Sequence, residues 1–87
     1  MILYTRAGCH LCDDARTVLQ GLLEDRAATG RRPSLLRERD ITTNPEWEAA
    51  FGATIPVVEI GDRRLELATS TPRLRRFLDA ALDGSLA

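Results

Sequence analysis

Cys9-His10-Leu11-Cys12 follows a short apolar run, Met1–Tyr4, and precedes a long segment whose apolar residues recur at helical spacing. Where a strand gives way to a helix, the first sulfur of such a motif lies at the helix N-terminus. It is then close to unpaired backbone N–H groups and to the positive end of the helix dipole. Because that setting favours a thiolate, Cys9 is the candidate nucleophile. Cys12, one turn later, is the candidate resolving thiol that closes a disulfide with it.

The segment after the motif predicts a long amphipathic helix. Its apolar residues fall at i, i+4, i+7, i+8, i+11 and i+12, which places them on one helical face. The charged residues, Arg26 among them, take the other positions. The predicted apolar face consists of Leu11, Ala15, Val18, Leu19, Leu22 and Leu23.

The middle of the chain predicts a loop at Arg31-Arg32-Pro33, an edge strand and a short helix. Residues 34–41 alternate poorly between apolar and polar, which is typical of a strand at the border of a sheet. Asn44 or Thr43 can cap a helix in which Pro45 fills the first position, where its missing N–H is not needed. We expect Trp47 to be buried against the sheet.

The last third of the chain predicts two strands and a helix. A strand over residues 54–60 carries Pro56 near its start, one of the few places where a strand tolerates proline. Gly61-Asp62 is a hairpin signal, and the strand that follows, residues 63–67, places Leu65 and Leu67 on one face. A final helix begins at Thr71-Pro72, and its apolar residues again share one face.

The element order is therefore βαβαββα within a single domain, residues 1–87. The βαβ crossover makes the first two strands parallel, and the hairpin makes the last two antiparallel. This order predicts an α/β fold with a mixed four-stranded sheet and helices on both faces.

Composition excludes several classes of function. The chain has 12 basic and 13 acidic residues and a net charge of −1, so no global charge attracts it to nucleic acid or anionic lipid. No apolar run approaches the about 20 residues that cross a bilayer, and no leader-like segment is visible, so we expect a cytoplasmic protein. Two cysteines in one motif favour redox chemistry over a disulfide scaffold. We expect a monomer.

This order, with Cys-x-x-Cys after the first strand and Ile55-Pro56 opening the third, resembles the thioredoxin fold in its short, glutaredoxin-like form. The resemblance covers nearly the whole chain and is closest to small glutaredoxin-like proteins with a Cys-x-Leu-Cys motif. It implies a thiol-disulfide oxidoreductase with a redox-active disulfide, in which Pro56 is cis and lies beside the cysteine pair. The backbone of Ile55 would bind an extended disulfide substrate, either a protein or a small thiol. The implied substrate-contacting residues are Arg6, His10, Leu11, Thr54, Ile55 and Pro56.

The sequence departs from the glutaredoxin pattern at two places that concern glutathione. Glutaredoxins usually have proline and an aromatic residue between the cysteines, where this chain has His10 and Leu11. They hold glutathione with a Gly-Gly pair and an acidic residue before the last helix, whereas this chain reads Leu67-Ala68-Thr69-Ser70-Thr71. The reductant therefore stays open between glutathione and a thioredoxin-type dithiol system, and we expect no bound cofactor.

Several alternatives remain at the level of sequence. Arg6 could stabilise the Cys9 thiolate, and His10 could donate a proton, although a solvated residue in the first helical turn is the simpler interpretation. Asp13 and Asp14 are explained by the helix dipole rather than by a metal.

The chain could also be an iron–sulfur or metal carrier, but two thiolates fall short of the four ligands of a tetrahedral site. A non-catalytic peptide-binding module or a thiol sensor is the remaining alternative.

Overall fold

The computed structural model describes residues 1–32 and 34–84, so the Pro33 of the predicted loop lies outside the described residues. The element order is the predicted βαβαββα, with a short 3₁₀ turn at Ile41–Thr43 before the second helix. The strands are β1 (Ile2–Thr5), β2 (Arg37–Asp40), β3 (Val57–Ile60) and β4 (Arg63–Leu65), and the helices are α1 (His10–Ala28), α2 (Pro45–Phe51) and α3 (Thr71–Leu82).

The four strands form one mixed sheet in the order β2-β1-β3-β4. β1 pairs with β2 in parallel and with β3 antiparallel, and β3 pairs with β4 antiparallel across the Gly61-Asp62 turn. The predicted architecture is confirmed, and β2 lies at an edge, as its polar sequence indicates. Gly61 has φ +60°, the left-handed conformation that such a tight turn requires.

The two faces of the sheet carry separate apolar cores, because successive side chains of a strand point to opposite faces. Leu3 and Val58 pack with the apolar residues of α1 and α3 on one face. Their neighbours Tyr4 and Val57 pack with Phe51 on the other face, which α2 covers. Helices therefore lie on both faces. The larger core contains Leu3, Ala15, Leu19, Leu22, Val58, Ala68, Leu74, Leu78 and Leu82.

The second helix begins as its sequence predicts. The side chain of Asn44 accepts a hydrogen bond from the N–H of Glu46 at 2.9 Å, and Pro45 occupies the first helical position. Trp47 is half-buried at the border of the smaller core, where its ring meets the ring of Tyr4 edge-on at 5.9 Å between centroids. Trp47 therefore packs against the sheet as predicted, but it is half-buried rather than buried.

The predicted limits of three strands are wrong, and so is the prediction that Leu11 lies on the buried face of α1. β2 and β3 start at Arg37 and Val57, three residues later than expected, because pairing with β1 does not extend further. β4 stops at Leu65, and Leu67, with φ +48°, turns out of the strand, so it does not share the buried side of Leu65. Leu11 is 52% exposed because the first turn of α1 extends beyond the core that Ala15 and Leu19 enter.

The prediction that Arg26 lies on the polar side of α1 is also wrong, since only 4% of it is exposed. Its guanidinium lies between the C-terminal parts of α1 and α3, donates to Asp79 at 3.0 Å and forms a close ion pair with Asp83. Its Nε donates to the carbonyl oxygen of Arg32 at 2.9 Å. A charge buried to this degree is tolerated because its N–H groups have acceptors. This cluster ties α3 to α1.

The Arg26–Asp83 pair makes stability depend on pH. The hydrogen bond from Arg26 holds the pKa of the Asp83 carboxyl below its ordinary value. A carboxyl whose pKa is lower in the folded state contributes stability that is fully present above the unfolded pKa of about 3.9 and disappears as pH falls through the folded value.

We therefore expect the wild type to have a higher Tm than Asp83→Asn by a constant margin from pH 7 to pH 5, and the margin to shrink below about pH 4. Thermal unfolding followed by circular dichroism at pH 7, 5, 4, 3 and 2 measures it. A margin unchanged at pH 2 would show that the pairing contributes nothing to stability.

None of the helices in the described part of the chain is at once long enough and apolar enough to cross a membrane.

Candidate active site

Cys9 lies at the start of α1, after a turn that Gly8 makes possible with φ +77°. The residue is the N-cap of the helix: its backbone is extended, and its sulfur accepts a hydrogen bond from the N–H of Cys12 at 3.1 Å. Its carbonyl oxygen accepts the first helical bond, from Asp13. A sulfur in this position faces the unpaired N–H groups of the first turn, which stabilise negative charge on it.

Cys9 and Cys12 form a disulfide, and their Cα atoms are 5.2 Å apart, within the range that disulfides span. The two sulfurs differ in access. Cys9 is half-buried, whereas Cys12 is completely buried. An external thiol or disulfide can therefore reach the Cys9 sulfur, whereas the Cys12 sulfur can react only with Cys9.

Ile55 and Pro56 lie at the same end of the sheet as the cysteine pair. Tyr4 is opposite Val57, so extending the antiparallel register by two residues brings Ile55 level with Arg6, just before the Cys9 turn. The Ile55–Pro56 peptide bond is cis, and Pro56 is buried. The N–H of Ile55 donates to the carbonyl oxygen of Phe51 at 3.1 Å. A substrate would have to use the carbonyl oxygen of Ile55 or replace that bond.

The other predicted site residues surround the cysteines unevenly. Arg6 pairs with Glu48 of α2 at 2.9 Å, so its charge is partly neutralised rather than directed at Cys9 alone. His10 and Leu11 are exposed in the first turn of α1 and are accessible to a partner. Thr54 is half-buried, and its hydroxyl donates to the carbonyl oxygen of Phe51 at 3.4 Å.

The segment before α3 is hydrogen-bonded to the stretch that contains Thr54 and Pro56, a contact that the sequence did not predict. The N–H of Leu67 donates to the carbonyl oxygen of Thr54 at 2.9 Å, and that of Ala68 to Pro56 at 2.8 Å. Ala68 is completely buried, whereas Leu67 is 49% exposed. A leucine with φ +48° is unusual, because the left-handed region disfavours bulky side chains. No sequence signal marks this turn.

These backbone contacts bear on glutathione. Glutaredoxins hold the tripeptide with a Gly-Gly pair and an acidic residue at the segment that in this chain reads Leu67-Ala68-Thr69-Ser70-Thr71. Here the N–H groups of Leu67, Ala68 and Thr69 all donate to carbonyl oxygens of the chain itself. These three N–H groups are therefore available to a ligand only if their internal hydrogen bonds break.

A cavity of about 450 Å³ lies between the C-terminal half of α1 and α3, lined by Leu22, Arg26, Arg31, Arg75 and Leu78 among others. Leu22 is 13 residues after Cys9 on the same helix, about 20 Å along its axis at 1.5 Å per residue. The cavity is therefore too far away to hold a group that reacts at Cys9. Within residues 1–32 and 34–84, no three His, Cys, Asp or Glu side chains are grouped as a metal site requires.

Comparison with known proteins agrees with this geometry. The family model of the glutaredoxin-like domain (DUF836) matches residues 1–81. The chain is also similar to an X-ray structure of the structural genomics target protein XcR50 from X. campestris, with 34% sequence identity and a TM-score of 0.73. That similarity covers 92% of this chain and 96% of the other. None of the curated proteins compared with the chain matched it.

Fold and site together define a thioredoxin-like domain with a cysteine pair at the start of its first helix. The chain belongs to the glutaredoxin-like family. The pairing of Cys9 with Cys12 is consistent with a redox role.

Proposed function

We propose that the protein is a thiol-disulfide oxidoreductase that works by dithiol exchange, with Cys9 as nucleophile and Cys12 as resolving thiol. One observation carries the proposal: the half-buried Cys9 sulfur caps α1 and accepts the N–H of Cys12, while the Cys12 sulfur is completely buried beside it. This arrangement favours a thiolate at the accessible cysteine and reserves the other for the second step.

The exchange has two balanced steps. The Cys9 thiolate attacks one sulfur of a substrate disulfide, forms a mixed disulfide and releases the other sulfur as a thiolate. Cys12 then attacks the Cys9 sulfur and forms the Cys9–Cys12 disulfide, and its proton goes to the second substrate sulfur, which leaves as a thiol. The substrate gains two electrons, and the protein ends oxidised.

The oxidised protein needs an external reductant, and we infer that this is a dithiol rather than glutathione. The inference follows from the N–H groups of Leu67, Ala68 and Thr69, which are already bonded within the chain. The comparison that tests it is the rate at which equal thiol concentrations of glutathione and of a thioredoxin-type dithiol system reduce the oxidised protein. Efficient reduction by glutathione alone would contradict this choice of reductant.

Cys12→Ser is expected to trap the mixed disulfide, because the first step proceeds and the second cannot. We expect a stable adduct at Cys9, with close to one peptide per protein, after the variant is mixed with a model disulfide peptide. Mass spectrometry of the intact protein, followed by peptide mapping without reductant, measures the adduct and its position.

The matched control is Cys9→Ser, which leaves Cys12 as the sole thiol. We expect far slower adduct formation in this variant because Cys12 is completely buried. Equal trapping in the two variants would contradict the assignment of nucleophile and resolving thiol.

A further inference from the structure

The outer edge of β2 has backbone groups that the sheet does not use. β2 is the terminal strand, and the N–H of Arg37 donates inward to the carbonyl oxygen of Met1 at 2.9 Å. Because backbone groups alternate in direction along a strand, the N–H and C=O of Glu38 point outward. An edge with such groups can accept a further strand.

Two arginines of β2 lie on the sheet face that α2 covers only in part. Arg37 is opposite Ile2 and Arg39 is opposite Tyr4, so the two side chains share one face, about 7 Å apart along the strand. We call Arg37 and Arg39 the edge arginines. Leu35, two residues earlier, is 81% exposed. This border of the protein therefore presents two cations and one apolar side chain in a row.

In the described part of the chain, neither edge arginine forms an ion pair with a carboxylate, whereas Arg64 on the same face pairs with Glu59 at 2.9 Å. Arg39 is held in place: its guanidinium lies 5.0 Å from the ring centre of Trp47 and donates to the hydroxyl of Tyr4 at 3.2 Å. A fixed guanidinium with unused N–H groups is a favourable partner for a carboxylate.

We propose that the outer edge of β2 docks an extended acidic segment of a partner protein. The segment adds as a strand through the outward N–H and C=O of Glu38, and acidic side chains at alternate positions meet Arg37 and Arg39. The opposite face of β2 carries Asp40 and Glu38, and Glu38 is already paired with Arg16 at 2.7 Å, so the residues between the acidic ones are neutral. An alternating acidic and neutral segment is complementary to both faces.

A second copy of this chain is the less favourable occupant. Antiparallel pairing of two β2 strands about Glu38 would place Arg37 of one copy opposite Arg39 of the other. Like charges directly opposite each other across paired strands are destabilising. The charge pattern therefore favours a different, acidic partner.

The experiment uses the whole chain and a synthetic eight-residue peptide in which glutamate alternates with threonine. Trp47 is the only tryptophan and lies beside Arg39, so its fluorescence reports binding directly. We expect a saturable fluorescence change that weakens as salt rises, and slower hydrogen exchange at the Glu38 amide in the complex. A peptide with glutamine in place of glutamate is the control and is expected not to bind.

Charge reversal tests the position of the site. We expect the double variant Arg37→Glu/Arg39→Glu to bind the peptide at least about tenfold more weakly, because two attractions become repulsions. Arg75→Glu/Arg76→Glu changes the net charge equally on the exposed surface of α3 and is expected to bind like the wild type. Arg37→Glu alone, at an exposed position, gives a partial loss without touching Trp47. Calorimetry measures all variants independently of fluorescence.

Four results would overturn the proposal. These are no binding of the glutamate peptide, equal weakening in the two double variants, an unchanged exchange rate at Glu38 in the complex, and concentration-dependent pairing of the wild-type chain through β2. A normal circular dichroism spectrum of Arg37→Glu keeps the test valid if the double variant fails to fold.

Discussion

Cys9→Ser is expected to lose all reduction of a model disulfide peptide above the uncatalysed rate. A serine hydroxyl at the start of α1 is not ionised at neutral pH and forms no disulfide, so the first step of the exchange has no nucleophile. Cys12 cannot replace it, because its sulfur is completely buried. Chromatographic measurement of peptide reduction, with a dithiol as the recycling reductant, checks the result.

Asp14→Asn is the matched control for this loss. Asp14 is exposed just after the first turn of α1, and we expect its variant to reduce the peptide at close to the wild-type rate. Circular dichroism confirms that both variants are folded. Turnover retained in Cys9→Ser would refute dithiol exchange through this cysteine.

Arg26→Ala is expected to lower the free energy of unfolding by about 3 kcal/mol, the low end of the range for breaking a buried ion pair. The low end applies because Asp79 and Asp83 are partly exposed, at 40% and 36%, and can be solvated when the guanidinium is removed. The carbonyl oxygen of Arg32 loses its donor as well. This loss is a large share of the total free energy of unfolding of a small domain, which is about 5–15 kcal/mol.

Arg31 provides the control, because it pairs with the same carboxylate, Asp79, at 3.2 Å but is 53% exposed. Arg31→Ala is expected to lower the free energy of unfolding by less than about 1 kcal/mol, because exposed ion pairs contribute little. Urea unfolding at pH 7 followed by circular dichroism measures both variants. Equal losses would show that burial of Arg26 is not what gives its ion pairs their effect.

The sequence predicts the architecture because the signals that determine it are local and agree with each other. The apolar periodicity of α1 and α3, the Asn44-Pro45 start of α2 and the Gly61-Asp62 turn each specify one element. The order of elements then restricts the sheet to a parallel first pair and an antiparallel last pair. Cys9 could be assigned to the helix start from the same local pattern.

The errors occur where long-range contacts decide the outcome. Arg26 lies at i+4 from Leu22 and i+7 from Leu19, so its spacing already placed it on the apolar face, but its charge suggested the opposite. Its partners Asp79 and Asp83 are 53 and 57 residues away, and only the packing of α3 on α1 brings them together. Burial of a charge depends on such partners, which periodicity does not show.

The turn at Leu67 is the second case. Leucine rarely adopts a positive φ, so the sequence predicted a continuing strand. The turn places Leu67 and Ala68 beside Thr54 and Pro56, where their N–H groups are used. The missing glycines were visible in the sequence, but the internal use of these N–H groups was not.

The most direct test of dithiol exchange is a redox titration of the wild-type protein against known ratios of reduced and oxidised glutathione. Rapid alkylation of the remaining thiols and mass spectrometry then count the oxidised cysteines at each potential. We expect Cys9 and Cys12 to be oxidised together in one two-electron step. The ratio of oxidised to reduced protein then changes tenfold for about every 30 mV. A dominant species with glutathione on Cys9 and a free thiol at Cys12 throughout the titration would contradict the mechanism.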